Sequence, residues 1–85
     1  MLKLGTDPAL VDKLGALAAH VVDEALASGL SWDEAITAFG VASQAIAMKA
    51  ASQGVGTPEQ CAAHARSRLQ LGMEQGPDVL KAWLS

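Results

Sequence analysis

The sequence contains few aromatic residues and a single cysteine. Its 85 residues include two tryptophans, one phenylalanine and no tyrosine. This scarcity, together with abundant alanine, favours closely packed helices over a β-sandwich. Because Cys61 is alone, the chain can form neither an intramolecular disulfide nor a four-cysteine zinc site. A lone thiol suits a reducing compartment, and we expect a cytoplasmic protein.

The sequence also lacks an excess of positive charge and a long apolar run. Nine acidic residues outnumber six Lys and Arg residues, and the net charge is −3. A small, mildly acidic protein carries no electrostatic footprint for nucleic acid or an anionic membrane. No stretch reaches the roughly eighteen consecutive apolar residues of a membrane-spanning helix. We therefore expect neither a membrane nor nucleic acid as the partner.

The length indicates one domain with little core of its own. Residues 1–85 suit a single helical domain and leave no room for a separate catalytic domain. A chain of this size buries only about 60 to 65% of its unfolded surface, so a partner that adds buried area would stabilise it. We expect a protein partner or a homo-oligomer.

The first predicted helix covers about residues 8–28. Thr6 or Asp7 can accept from its free amides, Pro8 suits the first helical position, and Gly29 can end it in a left-handed conformation. One apolar line follows the helical period and predicts a buried face, formed by Leu10, Leu14, Leu17, Val21 and Ala25.

The second predicted helix covers about residues 32–53. Ser31 and Glu34 have the spacing of a capping box, in which each side chain bonds the other residue's backbone N–H. Residues 35–48 contain no charge, and apolar or small side chains point in nearly every direction. This pattern predicts either a central helix or an interface.

The third predicted helix covers about residues 58–75, with Thr57 and Gln60 as a second capping box and Gly76 at its end. After Gly76 and Pro77, apolar residues at helical spacing predict a short amphipathic helix over about 77–84. The expected fold is all-α: a small bundle of three main helices plus a short C-terminal amphipathic helix.

Two groups of residues could carry chemistry. His20, Asp23 and Glu24 lie within one turn and could bind a metal or transfer a proton, but they lack a ligand motif, and a solvated polar face is the favoured interpretation. Cys61 and His64 could form a thiolate pair, but Cys61 falls on the apolar line, where a thiol is usually a buried small side chain. We expect no enzyme, catalytic residue, metal or cofactor, and keep a small metal-binding or thiol-dependent protein as the third hypothesis.

The second hypothesis is a DNA-associated regulator. Residues 32–49 resemble a helix-turn-helix, with the turn at Gly40-Val41 and with Ser43 and Gln44 facing the bases. Such helices normally carry several lysines and arginines for phosphates, and only Lys49 is near. Alanine-rich sequence around Gly40 is equally compatible with one continuous helix.

The leading hypothesis is a non-enzymatic protein–protein interaction module, acting through homodimerisation or by binding another protein. Its contact surface would be the apolar second helix and the C-terminal tail. Trp32 and Trp83 suit core filling, and also suit interfaces, where tryptophan is enriched. A patch of His64, Arg66 and Arg68 could dock an acidic partner. The candidate interface residues are Trp32, Ile36, Phe39, Val41, Ile46, Met48, Val79, Leu80, Trp83 and Leu84.

Overall fold

The computed structural model describes residues 6–84, and these residues form three α-helices and no strand. They are α1 (Pro8–Ala27), α2 (Trp32–Ser52) and α3 (Pro58–Leu84). The prediction of an all-α fold with three main helices is confirmed. The predicted domain also includes Met1–Gly5 and Ser85, which lie outside the described residues.

The first two helices begin where their capping residues predict. The Asp7 carboxylate accepts hydrogen bonds from the N–H groups of Ala9 at 3.1 Å and Leu10 at 3.3 Å. At α2 the Ser31 hydroxyl accepts from Glu34 N–H at 3.1 Å, and Glu34 Oε1 accepts from Ser31 N–H at 2.9 Å. These bonds satisfy amides that have no partner within the helix.

The start of α3 uses the same arrangement with a neutral side chain. Gln60 Oε1 accepts from Thr57 N–H at 3.0 Å, and the Thr57 hydroxyl accepts from Gln60 N–H at 3.1 Å. The turns before α2 and α3 each contain a glycine in the left-handed region, with φ of 79° at Gly29 and 83° at Gly54. Glycine adopts this conformation without the steric cost that a Cβ would add.

The predicted break at Gly76 and Pro77 is wrong, and so is the separate short helix over 77–84. Helix α3 continues through Pro77 to Leu84. Proline lacks the N–H for the bond to Met73, and its ring normally clashes with the Cβ of the preceding residue. Gly76 has no Cβ, so this second clash is absent. The same turns carry the buried Val79, whose packing favours a continuous helix.

The turn predicted at Gly40-Val41 is also absent. Helix α2 runs without interruption from Trp32 to Ser52, so the helix-turn-helix motif does not form there. A Cβ added at Gly40 would meet open space. Glycine lowers helix propensity by about 1 kcal/mol relative to alanine, which is too little to break a helix of this length.

The contacts of the chain group into two compact units, one of Met1–Gly29 with Leu71–Ser85 (unit 1) and one of Leu30–Gln70 (unit 2). Unit 1 contains α1 and the C-terminal part of α3. Its buried residues are Val11 and Gly15 on α1 and Val79 on α3.

Unit 2 contains α2 and the N-terminal part of α3. Its buried residues are Ala35 and Ala47 on α2 and Cys61 on α3. The half-buried Phe39 and Ser43 lie between the two alanines on the same side of α2. The fully buried residues of this unit therefore all have small side chains. The single-domain organisation over residues 1–85 stays a prediction.

Candidate functional site

Unit 2 contains an open apolar groove between α2 and the N-terminal part of α3. Its volume is about 630 Å³. Alanines and the Cys61 thiol form much of its wall, and the side chains of Gln60, His64 and Arg68 add polar groups from α3. The lining residues of this α2–α3 groove are Ser43, Ile46, Ala47, Ala50, Val55, Gly56, Gln60, Cys61, His64, Ala65, Arg68 and Leu69.

The turn between the helices borders one end of the groove. A Cβ built at Gly56 would lie 3.1 Å from the Gln60 side-chain oxygen and 3.6 Å from the Cys61 sulfur. This close approach places the backbone of the turn against the first residues of α3. Arg68 and Leu69 line the groove about two helical turns further along α3.

The polar side of the groove carries positive charge and no carboxylate. Arg68 Nε donates a hydrogen bond to His64 Nε2 at 3.3 Å, one helical turn earlier. No aspartate or glutamate is among the lining residues. Within residues 6–84, neither Arg66 nor Arg68 forms an ion pair with a carboxylate.

A second apolar surface lies on the opposite side of α2. Four exposed residues, Ala38, Val41, Ala45 and Met48, follow one another at spacings of three, four and three, and we call them the outer α2 stripe. This spacing places them on one face of the helix. Val41 is 68% exposed and Met48 is 59% exposed. The stripe thus exposes large and small apolar side chains in alternation.

The predicted interface residues of α2 fall on different sides of the helix. Trp32, at the first position, is 81% exposed; of its two predicted roles, core filling is wrong and the interface role stays a prediction. Ile36 is also exposed, Phe39 is half-buried on the side of the core, and Ile46, 72% exposed, lines the groove. The residues at its two ends predict where α2 begins and ends. No local signal predicts which side of α2 another helix will cover.

The predicted tail residues divide between core and surface. Val79 is buried, and the indole of Trp83 lies against Gly15 of α1 so closely that a Cβ at Gly15 would overlap the ring. Leu80 and Leu84 are exposed. The tail therefore packs on α1 within unit 1 through one side and leaves its other apolar side chains uncovered.

The predicted basic patch also divides. His64 and Arg68 lie together on the groove, whereas Arg66 is exposed and does not line it. This follows from the helical period, because residues four apart share a face and residues two apart do not. Sequence alone placed all three in one patch because they are neighbours in the chain.

The candidates for chemistry occupy separate environments. Cys61 is buried in the groove wall, which confirms the prediction of a small buried side chain. His20, Asp23 and Glu24 are all exposed on α1. Within residues 6–84, no group of three or more His, Cys, Asp or Glu side chains is arranged to hold a metal ion.

One carboxyl group in unit 2 has a shifted pKa. The Ser31 backbone N–H that donates to Glu34 lowers the pKa of that carboxyl below its ordinary value, and the Ser31 hydroxyl lowers it further. Both interactions stabilise the charged form of Glu34. The Glu34 carboxylate is therefore part of the capping box at the start of α2.

Sequence reasoning missed Gly15 and the groove alanines Ala47 and Ala50 of α2. Gly15 lies within a helix where no turn requires glycine, which is a signal for a close contact with another element. The alanines carry no comparable signal, because α2 contains alanine on every side.

Comparisons with protein-family models, with curated proteins and with solved structures found no match to this chain. Among the described residues, none of the helices is both long enough and apolar enough to cross a membrane.

Proposed function

We propose that this chain is a non-enzymatic protein–protein interaction module, acting through homodimerisation or through binding of another protein. The proposed contact surfaces are the outer α2 stripe of unit 2 and, separately, Leu80 and Leu84 of the tail in unit 1. A cytoplasmic location is part of the proposal, and the lone, buried thiol of Cys61 is compatible with it.

The observation that carries the proposal is the outer α2 stripe. Exposed apolar residues scattered singly are normal on protein surfaces, but a contiguous apolar face indicates a contact site. The stripe has coiled-coil spacing, and no charge lies between Ala35 and Met48. A unit of roughly forty residues also has little core of its own, so covering this face would stabilise it.

The stripe supports an antiparallel pairing of two α2 helices. When two copies run in opposite directions about a centre near Ser43, Met48 of one copy faces Ala38 of the other, and Val41 faces Ala45. Each large side chain then meets a small one, as efficient packing requires. A parallel pairing would instead place Ala38 against Ala38 and Met48 against Met48.

The charges at the ends of α2 favour the same direction. Asp33 and Glu34 lie in the first turn and Lys49 lies in the last turn. An antiparallel pairing brings the acidic end of each helix towards the basic end of the other, whereas a parallel pairing brings like charges together. Opposed helix dipoles add to this preference.

The homodimer is tested by light scattering over a wide concentration range. The unaltered chain is compared with the variant Ala45→Glu. Ala45 is exposed, so a carboxylate there leaves the contacts within unit 2 in place, but burying it at an interface costs a few kcal/mol. We expect the unaltered chain to dimerise and the variant to be a helical monomer. Ile46→Glu, on the groove side of α2, is the matched control and should still dimerise.

Three results would count against the homodimer: a monomeric unaltered chain at high concentration, a dimer that Ala45→Glu leaves intact, or a dimer that Ile46→Glu disrupts equally. A monomeric chain that captures a stoichiometric second protein through α2 would instead support the other form of the proposal. A monomer whose exposed apolar residues bind nothing would contradict both forms.

A further inference from the structure

The α2–α3 groove has the dimensions of a site for a helix. Its lining runs along residues 43–50 of α2 and 60–69 of α3. At a rise of about 1.5 Å per residue, these segments are about 10 to 14 Å long, or two to two and a half turns of an α-helix. A helix laid along such a groove would present apolar side chains at i, i+3 or i+4, and i+7.

The charge of the groove selects among such helices. Arg68 and His64 line one side, no carboxylate lines the groove, and Arg68 has no acidic partner within residues 6–84. A helix with an aspartate or glutamate beside its apolar face can pair with the Arg68 guanidinium, whereas a basic helix would meet like charge.

We propose that the α2–α3 groove is a docking site for an acidic amphipathic helix of another protein. Two apolar anchors of that helix would cover the groove walls formed by Ala47, Ala50 and Ala65, and a carboxylate at its edge would pair with Arg68. The helix would complete a three-helix arrangement with α2 and α3, in which each helix has two neighbours and the apolar walls are removed from water.

A second copy of the chain fits this site less well through α2. Its exposed outer stripe carries no carboxylate from Ala35 to Met48, so it offers nothing for Arg68 to bind. A small amphiphilic anion could pair with Arg68, but a groove that is open along two helical turns would stay largely in contact with water around it.

This inference goes beyond the homodimer and can fail independently of it. The groove is lined from α2 by Ser43, Ile46, Ala47 and Ala50, which lie on the other side of the helix from Ala38, Val41, Ala45 and Met48. Variants of the groove therefore leave the proposed dimer face unaltered. Light scattering reports on the dimer, and peptide binding reports on the groove.

The test is a selection against the full chain from a phage-displayed peptide library. The library has an alanine-rich helical scaffold of about sixteen residues, long enough to hold helix when bound, and it is randomised along one face. We expect enrichment of peptides with apolar residues at i, i+3 or i+4, and i+7 and with a flanking aspartate or glutamate. Binding of synthetic copies is then measured by fluorescence polarisation at low and high salt.

Variants of α3 locate the binding site. Leu69→Glu places a carboxylate on the groove at an exposed position and should weaken binding of the selected acidic peptides at least tenfold. Arg68→Ala should weaken it about threefold and reduce its salt dependence, because an exposed ion pair contributes modestly. Arg66→Ala removes the same charge from the same helix outside the groove and should leave binding unchanged. Circular dichroism of each variant confirms that it is folded.

Several outcomes would overturn the proposal. They are enrichment of basic peptides, equal losses for Arg66→Ala and Arg68→Ala, binding that Leu69→Glu does not weaken, and recovery of no peptide with a Kd below about 0.1 mM. Displacement of the selected peptides by dodecanoate at stoichiometric concentration would assign the groove to a small amphiphile. A change of oligomeric state in Leu69→Glu would assign it to a second copy of the chain.

Discussion

In unit 1 the indole of Trp83 lies directly over the backbone of Gly15, whereas in unit 2 the buried residues are Ala35, Ala47 and Cys61. Both units pair one helix with a part of α3. In unit 1 a large ring is accommodated by a residue with no side chain. In unit 2 the buried residues are small, and a groove stays open beside them.

The difference separates a contact that stabilises the chain from a surface that is open to another molecule. An aromatic residue between two helices contributes a large apolar area to stability within the chain. Alanines at the same kind of contact contribute little area and leave the neighbouring apolar atoms accessible to another molecule. We therefore expect the stability of the chain to depend more on unit 1 and its binding to depend more on unit 2.

The largest expected effect is at Trp83. Trp83→Ala removes the ring packed on Gly15 and should lower the free energy of unfolding by about 2 to 3 kcal/mol, less than for a fully buried tryptophan because Trp83 is half-buried. Cys61→Ala, at the buried contact of unit 2, removes only a sulfur atom and should cost about 1 kcal/mol.

Urea unfolding followed by far-UV circular dichroism at one protein concentration measures both changes. Trp32→Ala is the control for loss of a tryptophan at an exposed site, and its effect should stay within about 0.5 kcal/mol. Equal losses for Trp83→Ala and Cys61→Ala would contradict the comparison between the units.

The next prediction compares two glycines within helices, for which substitution by alanine should change the stability in opposite directions. Gly15→Ala would place a Cβ inside the indole of Trp83, and the resulting overpacking should cost about 1 to 3 kcal/mol despite alanine's better helix propensity. Gly40→Ala, in α2, places its Cβ in open space and should stabilise the chain by about 1 kcal/mol.

The pair is measured by thermal unfolding under identical conditions. When Trp83→Ala is already present, Gly15→Ala should no longer destabilise the chain, because the ring that the new methyl group would strike is gone. Stabilisation by Gly15→Ala in the presence of Trp83 would show that the close contact is not maintained in solution.

The smallest effect concerns the helix starts of unit 2 and depends on pH. The lowered pKa of Glu34 means that its carboxylate stabilises the folded state fully above the unfolded value of about 4.3. That contribution is lost as the pH falls through the lower folded-state pKa. Glu34→Gln keeps an acceptor for Ser31 N–H but does not titrate.

We expect the melting temperature of the unaltered chain to fall more steeply at acid pH than that of Glu34→Gln, with the two curves converging at low pH. The capping box of Thr57 and Gln60 is neutral and allows the opposite change. Gln60→Glu should make the melting temperature fall more steeply at acid pH. Parallel curves for Glu34→Gln and the unaltered chain would show that the carboxylate contributes no stability through this cap.

The helix starts could be predicted from sequence because their determinants are local. Asp7, the Ser31/Glu34 pair and the Thr57/Gln60 pair each satisfy backbone amides within three residues. Gly29 likewise adopts the left-handed conformation that its position predicted. In each case the residues that decide the conformation are neighbours in the chain.

The break at Pro77 could not be decided in the same way. Proline after glycine is a typical stop signal, and here the glycine removes a clash instead of ending the helix. Which of the two happens depends on the packing of Val79 and Trp83 beyond the proline, since Trp83 contacts Gly15, far away in the sequence. The residues next to Pro77 carry no sign of a contact of that range.

The candidate site was predictable only in part, because its position depends on which helix packs against α2. The uncharged stretch of α2 predicted an apolar contact surface and drew attention to Val41, Ile46 and Met48. It could not separate the groove side from the outer stripe, because alanine fits a helix contact, a groove wall and a solvated surface alike. Only the pairing of α2 with α3 distinguishes these roles.

The continuity of α3 has a consequence for how the protein folds. Starting a helix is costly, while adding residues to an existing helix is much less so. Because α3 contributes to both units, one nucleation event can supply a helix to each of them. Pro77 weakens this propagation at a single step, so residues 78–84 should exchange their amide protons faster than residues 61–76.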